Sequence, residues 1–173
     1  NIPVLGIEPT ANTAAIAKEK GIETIVEFFG SHLAENKLNS KADLILGNNV
    51  LAHVPDINDF VKGVKIALKP DGVNTFEFPH LCQLIALSQF DTIYHEHFSY
   101  LSLTAVKSIF EKQGLSIFDV EEIPTHGGSL RIYTQHTEYT NREIKASVVL
   151  LLEKEKLLGI DQIEYYQNFQ NKV

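Results

Sequence analysis

Residues 43–78, DLILGNNVLAHVPDINDFVKGVKIALKPDGVNTFEF, contain two strand-like runs separated by a helical pattern. Residues 43–48 are almost continuously apolar, as expected of a strand that is buried on both faces. Residues 56–68 carry apolar side chains on one face of a helix. The turn residues 69–72 then lead into a second strand, residues 73–78. Strand, helix and strand in this order predict an α/β fold with a parallel sheet.

The same alternation is found upstream. Residues 3–8 and 24–29 have strand-like patterns. Residues 13–20 between them are predicted to form a helix that ends at Gly21, since glycine is a common helix terminator. The parallel sheet is therefore expected to begin at the start of the chain.

Downstream, the pattern changes from alternation to a hairpin. Residues 103–113 predict a helix that ends at Gly114, and residues 115–123 and 129–135 predict two strands. The short loop 124–128 joins these strands, so they should pair as an antiparallel hairpin. The fold class is thus α/β, with parallel strands and an antiparallel hairpin at the edge of the sheet.

The last part of the chain is predicted to be helical. Residues 143–158 form an amphipathic pattern, and a second helix is expected after Gly159. We expect residues 1–140 to form one domain and residues 141–173 to lead toward a C-terminal domain. The chain has no methionine, opens on a strand-like run and closes inside a helical pattern, so we interpret it as part of a longer polypeptide.

Composition excludes several classes of function. The net charge of −7 argues against a nucleic-acid partner, which would favour a basic surface. No apolar run approaches the roughly 20 residues that a membrane-spanning helix needs. The single Cys82 cannot form an internal disulfide or a multi-cysteine zinc site, so a cytoplasmic location is expected.

Side chains that exchange protons near neutral pH are concentrated at Tyr94-His95-Glu96-His97, within the sequence FDTIYHEHFSY of residues 90–100. Such a group suits either acid–base catalysis or metal binding. His95 and His97 are two positions apart and no third ligand is evident, so we expect no metal here. A polar loop or a structural His–Glu pair is the other alternative.

The predicted sheet resembles the Rossmann-like sheet of class I S-adenosylmethionine (SAM) methyltransferases. GIEP at residues 6–9 is similar to that family's second motif, and GNNVLAHVPD at residues 47–56 is similar to its fourth. The resemblance implies that Glu8 accepts hydrogen bonds from the ribose of SAM, and that Asn48 and Asn49 line its methionine end. Alternatively, these residues are an exposed strand-end carboxylate and turn caps.

More narrowly, the chain resembles sugar C-methyltransferases that act on nucleotide-linked 4-keto-deoxysugars. The likeness is carried by EFPH at residues 77–80, by residues 90–100 and by THGGSLR at residues 125–131. It implies that a nucleotide-activated sugar is the substrate. The enzyme would remove the C3 proton, stabilise an enolate at the C4 oxygen and align C3 with the methyl group of SAM.

The resemblance assigns a role to each polar residue of the motif. His97 would be the general base, and Tyr94 would donate a hydrogen bond to the developing oxyanion. Glu96 would orient a neighbouring base or bind a sugar hydroxyl. His95 is disfavoured, because neighbouring side chains of an extended segment face opposite ways.

Four residues outside the motif also receive assignments. His80 and His126 are candidate substrate contacts, although His126 precedes two glycines that are typical of a hairpin turn. Arg131 is expected to form a surface ion pair more readily than to bind a diphosphate. His136 is expected at the surface.

The chain departs from the family pattern at its beginning. The family's first strand and glycine-rich loop would precede residue 3 and lie between the strands at residues 3–8 and 43–48. Without them the sheet should have a gap, and this chain alone should bind SAM poorly. The family's N-terminal zinc domain is also absent, so no zinc is assigned. The alternative functions are an O- or N-methyltransferase on another small molecule and a non-catalytic Rossmann-like binding module.

Overall fold

The computed structural model describes residues 2–139, 141–167, 169–171 and 173. The strands of the described part are β1 (Leu5–Ile7), β2 (Glu23–Ile25), β3 (Ala42–Asn48), β4 (Leu68–Pro79), β5 (Leu115–Ile123) and β6 (Ser129–His136). The α-helices are α1 (Ala11–Glu19), α2 (Ser31–Asn36), α3 (Ile57–Ala67), α4 (Leu81–Ala86), α5 (Leu103–Lys112), α6 (Ala146–Leu158) and α7 (Glu164–Gln167). Short 3-10 turns lie at Leu51–His53, Phe90–Thr92 and Thr125–Gly127.

The described strands form two separate sheets. β1 and β2 pair in parallel, and the other four strands form a sheet in the order β3-β4-β6-β5. β3 is parallel to β4, whereas β6 is antiparallel to both β4 and β5. The predicted α/β fold with an antiparallel hairpin is therefore confirmed. The expected gap lies between β1 and β3, where Leu5, Leu44 and Leu46 remain exposed.

One hydrophobic core joins the helices to the four-stranded sheet. Asp56 caps α3 by accepting a hydrogen bond from the Asp59 amide at 3.0 Å, and the helix then buries Phe60. The rings of Phe60 and Phe110 each meet Phe76 of β4 edge to face, with centroids 5.7 and 5.9 Å apart. This packing fixes α3 and α5 on the sheet and so determines where the strand ends lie.

Several element boundaries differ from the sequence prediction. β4 begins at Leu68, because residues 69–72 form an irregularity inside the strand, where its register on β3 shifts. α6 begins at Ala146, three residues later than predicted. The helical pattern predicted after Gly159 contains α7, and residues 168 and 172 of it lie outside the described residues.

His136 was expected at the surface, and this prediction is wrong. Its side chain is buried, and Nε2 lies 3.3 Å from the carbonyl oxygen of Leu68. Burial lowers the pKa of His136 below its ordinary value, and the nearby charge of Lys65 acts in the same direction. The cause is the antiparallel pairing, which places the last residue of β6 beside the start of β4.

Among the described helices, none has the length and apolar character needed to cross a bilayer.

Candidate functional site

The Tyr94–His97 segment is a turn in the structure, and not the extended strand assumed in the sequence analysis. The His97 amide donates to the carbonyl oxygen of Tyr94 at 3.1 Å. The turn places residues i and i+3 on the same side, so the rings of Tyr94 and His97 have centroids 4.3 Å apart. The extended-segment argument against His95 is therefore wrong, although the pairing of Tyr94 with His97 gives His97 the better-defined environment.

Hydrogen bonds fix the orientation of the His97 ring. Nδ1 lies 2.9 Å from the carbonyl oxygen of Thr92, and a carbonyl only accepts, so Nδ1 carries a hydrogen and donates. In the neutral imidazole, Nε2 then holds a lone pair. The Tyr94 hydroxyl lies 3.1 Å from Nε2 and donates to it. His97 therefore presents a proton-accepting nitrogen that is directed by the backbone.

His53 is a second imidazole beside this site, and the sequence analysis did not select it. Its ring centroid is 4.7 Å from that of His97, and its Nδ1 lies 2.9 Å from the carbonyl oxygen of Glu96. The available signal was its position shortly after β3, because α/β proteins gather functional groups beyond the carboxyl ends of parallel strands. The exposed side chains of His95 and Glu96 have no hydrogen bond among the described residues.

The backbone after β3 connects the predicted cofactor residues to this turn. Asn48 ends β3, and Asn49 follows with a φ of 54° and donates its amide to the Glu77 carbonyl oxygen at 2.8 Å. A few residues later, the carbonyl oxygen of Ala52 accepts from the amide of Phe98 at 2.9 Å. The 3-10 turn that follows β3 is thus joined to the residue directly after the Tyr94–His97 turn.

Glu8 lies at the carboxyl end of β1, in the two-stranded sheet. Its amide donates to the Ile25 carbonyl oxygen at 3.0 Å, and its Oε1 accepts from the Thr10 amide at 2.8 Å. This is the one side-chain hydrogen bond that the structure describes for Glu8, and it leaves Oε2 free to accept from a ribose hydroxyl. The assignments of Glu8, Asn48 and Asn49 remain predictions.

The β5–β6 connection lies at the carboxyl end of β4, in the four-stranded sheet. His126 is exposed there, with a φ of 52°, in the turn before Gly128. The amide of the Gln89 side chain donates to the Gly127 carbonyl oxygen at 2.8 Å, which links this turn to the segment that carries His97. His126 therefore borders the site, and its contact with substrate stays a prediction.

Glu77 is a buried carboxylate beneath that turn. It accepts hydrogen bonds from the Thr125 hydroxyl at 2.9 Å and from the Arg131 guanidinium at 3.0 Å. Burial would raise the pKa of Glu77, but these two hydrogen bonds outweigh it and hold the pKa below its ordinary value. Arg131 forms the ion pair that was expected.

His80 follows β4 and is almost completely buried. Its Nε2 lies 2.9 Å from Oε1 of Glu155, and its backbone amide donates to Gly128 at 3.0 Å. A surface cavity of about 510 Å³ adjoins His80, Gln83 and Gly128. The described hydrogen bond of the His80 side chain goes to Glu155. The contact of His80 with substrate stays a prediction.

Cys82 lies next to this buried pair. The atoms of His80, Cys82 and Glu155 that could bind a metal lie within 4.8 Å of one another. The sulfur is buried, and burial raises the pKa of the Cys82 thiol to about 11, as expected of a core cysteine. The Glu155 oxygens already accept hydrogen bonds from two amides, a hydroxyl and an imidazole, so we assign no metal to this group.

The fold is the Rossmann-like fold of SAM-dependent methyltransferases. Magnesium protoporphyrin IX methyltransferase from Synechocystis, solved with bound SAH, superposes with a TM-score of 0.58 at 15% identity, covering 76% of this chain and 63% of that one. N-methyltransferase NodS from Bradyrhizobium japonicum, in complex with S-adenosyl-L-homocysteine, gives a TM-score of 0.56 at 12% identity, covering 76% and 65%.

Sequence comparison shows the family. The chain belongs to the methyltransferase domain family, whose model matches residues 2–120, and residues 124–173 match the C-methyltransferase C-terminal domain. C-methyltransferase NovU from Streptomyces niveus is 36% identical over 168 residues, covering 96% of this chain and 40% of NovU. The chain thus spans less than half the length of that relative. The predicted family, SAM-dependent methyltransferase, is confirmed.

The two family matches meet between residues 120 and 124, whereas the predicted domain boundary lies at residue 140. β6 belongs to the second match but pairs with β4 inside the four-stranded sheet. A boundary before β6 would divide that sheet. The division at residue 140 stays a prediction.

Proposed function

We propose that the protein containing this chain transfers a methyl group from SAM to the carbon next to the ketone of a nucleotide-linked keto-sugar, by way of an enolate. The observation that carries this proposal is the environment of His97. Nε2 is left as a proton acceptor by the Nδ1 hydrogen bond to Thr92. Removal of a proton from carbon requires such a base, whereas alignment is the main requirement of the methyl transfer itself. The likeness to a C-methyltransferase supports the same assignment.

The cofactor residues fit SAM by their chemistry. Glu8 retains a free carboxylate oxygen for ribose hydroxyls, and Asn48 and Asn49 bring amide groups to the carboxyl end of β3. When bound, SAM supplies a methyl group activated by the sulfonium. The role of this chain is to hold the substrate carbon in line with that methyl group and to exclude competing orientations.

His97 acts first in the proposed reaction. Its Nε2 accepts the proton from C3 of the sugar, and the electron pair of the broken C–H bond moves toward the C4 oxygen as the enolate forms. Tyr94 donates a hydrogen bond to that oxygen. C3 then forms its bond to the methyl carbon as the carbon–sulfur bond breaks. Glu96, on the same turn, is placed to bind a sugar hydroxyl.

The geometry adds a constraint to these roles. The Tyr94 hydroxyl donates to Nε2 of His97, the nitrogen that must accept the proton from carbon. Tyr94 cannot give the same hydrogen to His97 and to the enolate oxygen at once. Substrate binding must therefore turn the hydroxyl from His97 to the C4 oxygen, which frees the base and forms the oxyanion contact together.

The test uses the full-length protein with SAM and a TDP-linked 4-keto-6-deoxy sugar in deuterated water. Mass spectrometry and NMR follow the sugar. We expect a new methyl group on C3, and deuterium exchange at C3 that is lost in His97→Ala. Absence of both methylation and exchange would reject the keto-sugar assignment and direct the search to O- and N-acceptors. Exchange that persists in His97→Ala would reject His97 as the base.

A further inference from the structure

The segment that carries His97 leaves the four-stranded sheet and returns to it at one place. We call residues 81–101 the His97 segment. It leaves directly after His80 and returns at Leu101, and these two residues form an isolated parallel bridge. The Leu81 amide donates to the Leu101 carbonyl oxygen at 2.9 Å. The two ends of the segment are therefore adjacent in space, although they are far apart in the sequence.

A single side chain from α6 bonds to both flanks of this segment. Oε1 of Glu155 accepts from His80 Nε2 at 2.9 Å and from the Leu103 amide at 2.8 Å. Oε2 accepts from the amide of Thr104 at 2.7 Å and from its hydroxyl at 2.5 Å. One donor lies just before the His97 segment, and the others lie just after it. No other described carboxylate bonds to both flanks.

This carboxylate is buried and charged. Glu155 is 0% exposed and His80 is 1% exposed. Burial would raise the pKa of Glu155, but the four hydrogen bonds outweigh it and hold the pKa below its ordinary value. The Leu103 and Thr104 amides are also the first free donors of α5, where the helix dipole favours a negative charge. An ionised Glu155 is thus stabilised by the groups that flank the His97 segment.

The middle of the His97 segment has weaker support. Tyr94 is 45% exposed, and Phe90, Ile93 and Phe98 are also exposed. The turn itself contacts His53 through the Glu96 carbonyl oxygen, and the residues on either side of it bond to Ala52 and Gly127. A shift at the flanks would therefore move His97 relative to the sheet, and displacements on the order of 1 Å can cost about a hundredfold in rate.

We propose that Glu155 is a positioning residue for the proton transfer at His97, acting by holding the two flanks of the His97 segment together. This inference rests on the proposed function, because it takes His97 as the base. It also gives the C-terminal family segment, residues 124–173, a part in the chemistry of the preceding domain. Glu155 touches neither substrate nor cofactor in this role.

The first test compares Glu155→Gln with Glu153→Gln in the full-length protein. Glu155→Gln keeps the shape but loses the charge, and its amide nitrogen faces hydrogen-bond donors. We expect kcat to fall tenfold or more while the Kd for SAM changes less than threefold. Glu153 is exposed on the same helix, so Glu153→Gln should leave kcat unchanged. An unchanged kcat in Glu155→Gln would overturn the proposal.

A double-mutant cycle separates positioning from a general structural role. In the His97→Ala background, Glu155→Gln should cause no further loss, because its effect acts through the base. A full additional tenfold loss in that background would overturn the proposal. If His97→Ala alone retains full activity, His97 is not the base and the assignment on which this inference rests fails instead, so the two failures are distinguishable.

A milder variant and a spectrum complete the test in case Glu155→Gln folds poorly. Thr104→Val removes the hydroxyl bond to Oε2 and should lower kcat a few-fold in the same direction. In the free protein labelled with 15N-histidine, Thr104→Val should shift the His97 ring nitrogens away from the pattern of an Nδ1–H tautomer. A His97 spectrum identical to wild type, with normal kcat in Thr104→Val, would contradict the inference.

Discussion

His97 and His80 are two histidines near the carboxyl edge of the same sheet, and their surroundings differ in almost every respect. His97 is half-buried, and its two nitrogens bond to an uncharged carbonyl and an uncharged hydroxyl. His80 is buried, and Nε2 bonds to a carboxylate that three other donors also bind. The first environment allows a hydrogen-bond partner to be exchanged for substrate. The second holds its partners in place.

The difference shows that residue type alone does not identify a catalytic histidine. Both residues were candidates in the sequence, since each lies in a segment that carries the resemblance to sugar C-methyltransferases. A base needs a nitrogen whose partner can leave, and the Tyr94 hydroxyl meets that condition. A buried carboxylate resists separation from its hydrogen-bond donors, because a buried polar group left without a partner is destabilising.

Replacement of the exchangeable histidine should have the largest effect on activity. His97→Ala in the full-length protein should lower kcat by about 10²–10⁴-fold, the usual contribution of general acid–base catalysis. The Kd for SAM should stay within a few-fold of wild type. His95→Ala is the matched control, since His95 is exposed on the same turn and should change kcat little. A large loss of SAM affinity with normal turnover at saturation would show that His97 is not the base.

Replacement of Glu155, the hydrogen-bond partner of His80, should have the largest effect on the free energy of unfolding. Glu155→Ala leaves His80 and the Leu103 amide buried without an acceptor, and should lower the free energy of unfolding by about 1–3 kcal/mol for each of these two donors. Glu153→Ala, at an exposed position of the same helix, should change it by less than about 0.5 kcal/mol. Denaturant unfolding of both variants provides the comparison. Equal stability of the two would mean that the Glu155 hydrogen bonds contribute nothing.

The pH dependence of stability should also reflect the ionisation of Glu155. The pKa of Glu155 is held below its ordinary value of 4.5, so folding favours the carboxylate. Its contribution to stability is present above pH 4.5 and is lost as the pH falls through the lower pKa of the folded state. The stability difference between wild type and Glu155→Gln should therefore shrink below pH 4.5. A difference that grows on acidification would have the wrong sign for this explanation.

Much of this architecture could be predicted from the sequence. The hairpin strands and β3 fell within a residue or two of their predicted positions. Burial explains the composition of the hairpin strands, whereas Leu44 and Leu46 of β3 are exposed at the gap, so the expected burial of β3 on both faces is wrong for this chain. The His80–Glu155 pair could not be predicted. The two residues are 75 positions apart, and α6 has apolar side chains on several faces, with Leu151 buried but Leu150 and Leu157 exposed. The predicted amphipathic pattern of α6 includes Val148 and Leu151, which are buried, but it does not indicate that a glutamate shares their face and meets His80.

The candidate site was predictable in its residues but not in its geometry. Tyr94 and His97 were identified from their motif, whereas the turn that pairs them has no glycine or proline to mark it. His53 was not selected, because its closeness to His97 depends on how two distant segments cross. Local sequence patterns thus identify reactive groups, while tertiary contacts decide which of them meet.

The ribose assignment offers a smaller test, on binding alone. Glu8→Ala in the full-length protein should weaken SAM binding about tenfold, since a hydrogen bond to a charged group contributes roughly 1.5–3 kcal/mol. Turnover at saturating SAM should change little, in contrast to His97→Ala. Glu19→Ala, at an exposed position of α1, is the control. Isothermal titration calorimetry gives the Kd values. Unchanged affinity in Glu8→Ala would place the ribose site elsewhere.

A buried polar pair without partners should show the smallest effect, and in the opposite direction. Asn74 and Thr134 face each other across β4 and β6, and the structure describes no hydrogen-bond partner for their side-chain polar atoms. Thr134→Val should raise the free energy of unfolding by about 1 kcal/mol, because it removes an unpaired hydroxyl. Thr137→Val, at an exposed position, is the control. A destabilised Thr134→Val would indicate that the hydroxyl is bonded to water.

The position of Glu155 also restricts how such proteins can be recombined. The two family matches meet between residues 120 and 124, which is the natural crossover point for a chimera of two relatives. A crossover there would take Glu155 from one parent and its donors, His80, Leu103 and Thr104, from the other. A chimera would keep these hydrogen bonds only when one parent supplies the glutamate and the other parent supplies the donors. Libraries built by domain shuffling should therefore inherit His80, Thr104 and Glu155 together, whereas any residue except proline supplies the main-chain amide of position 103.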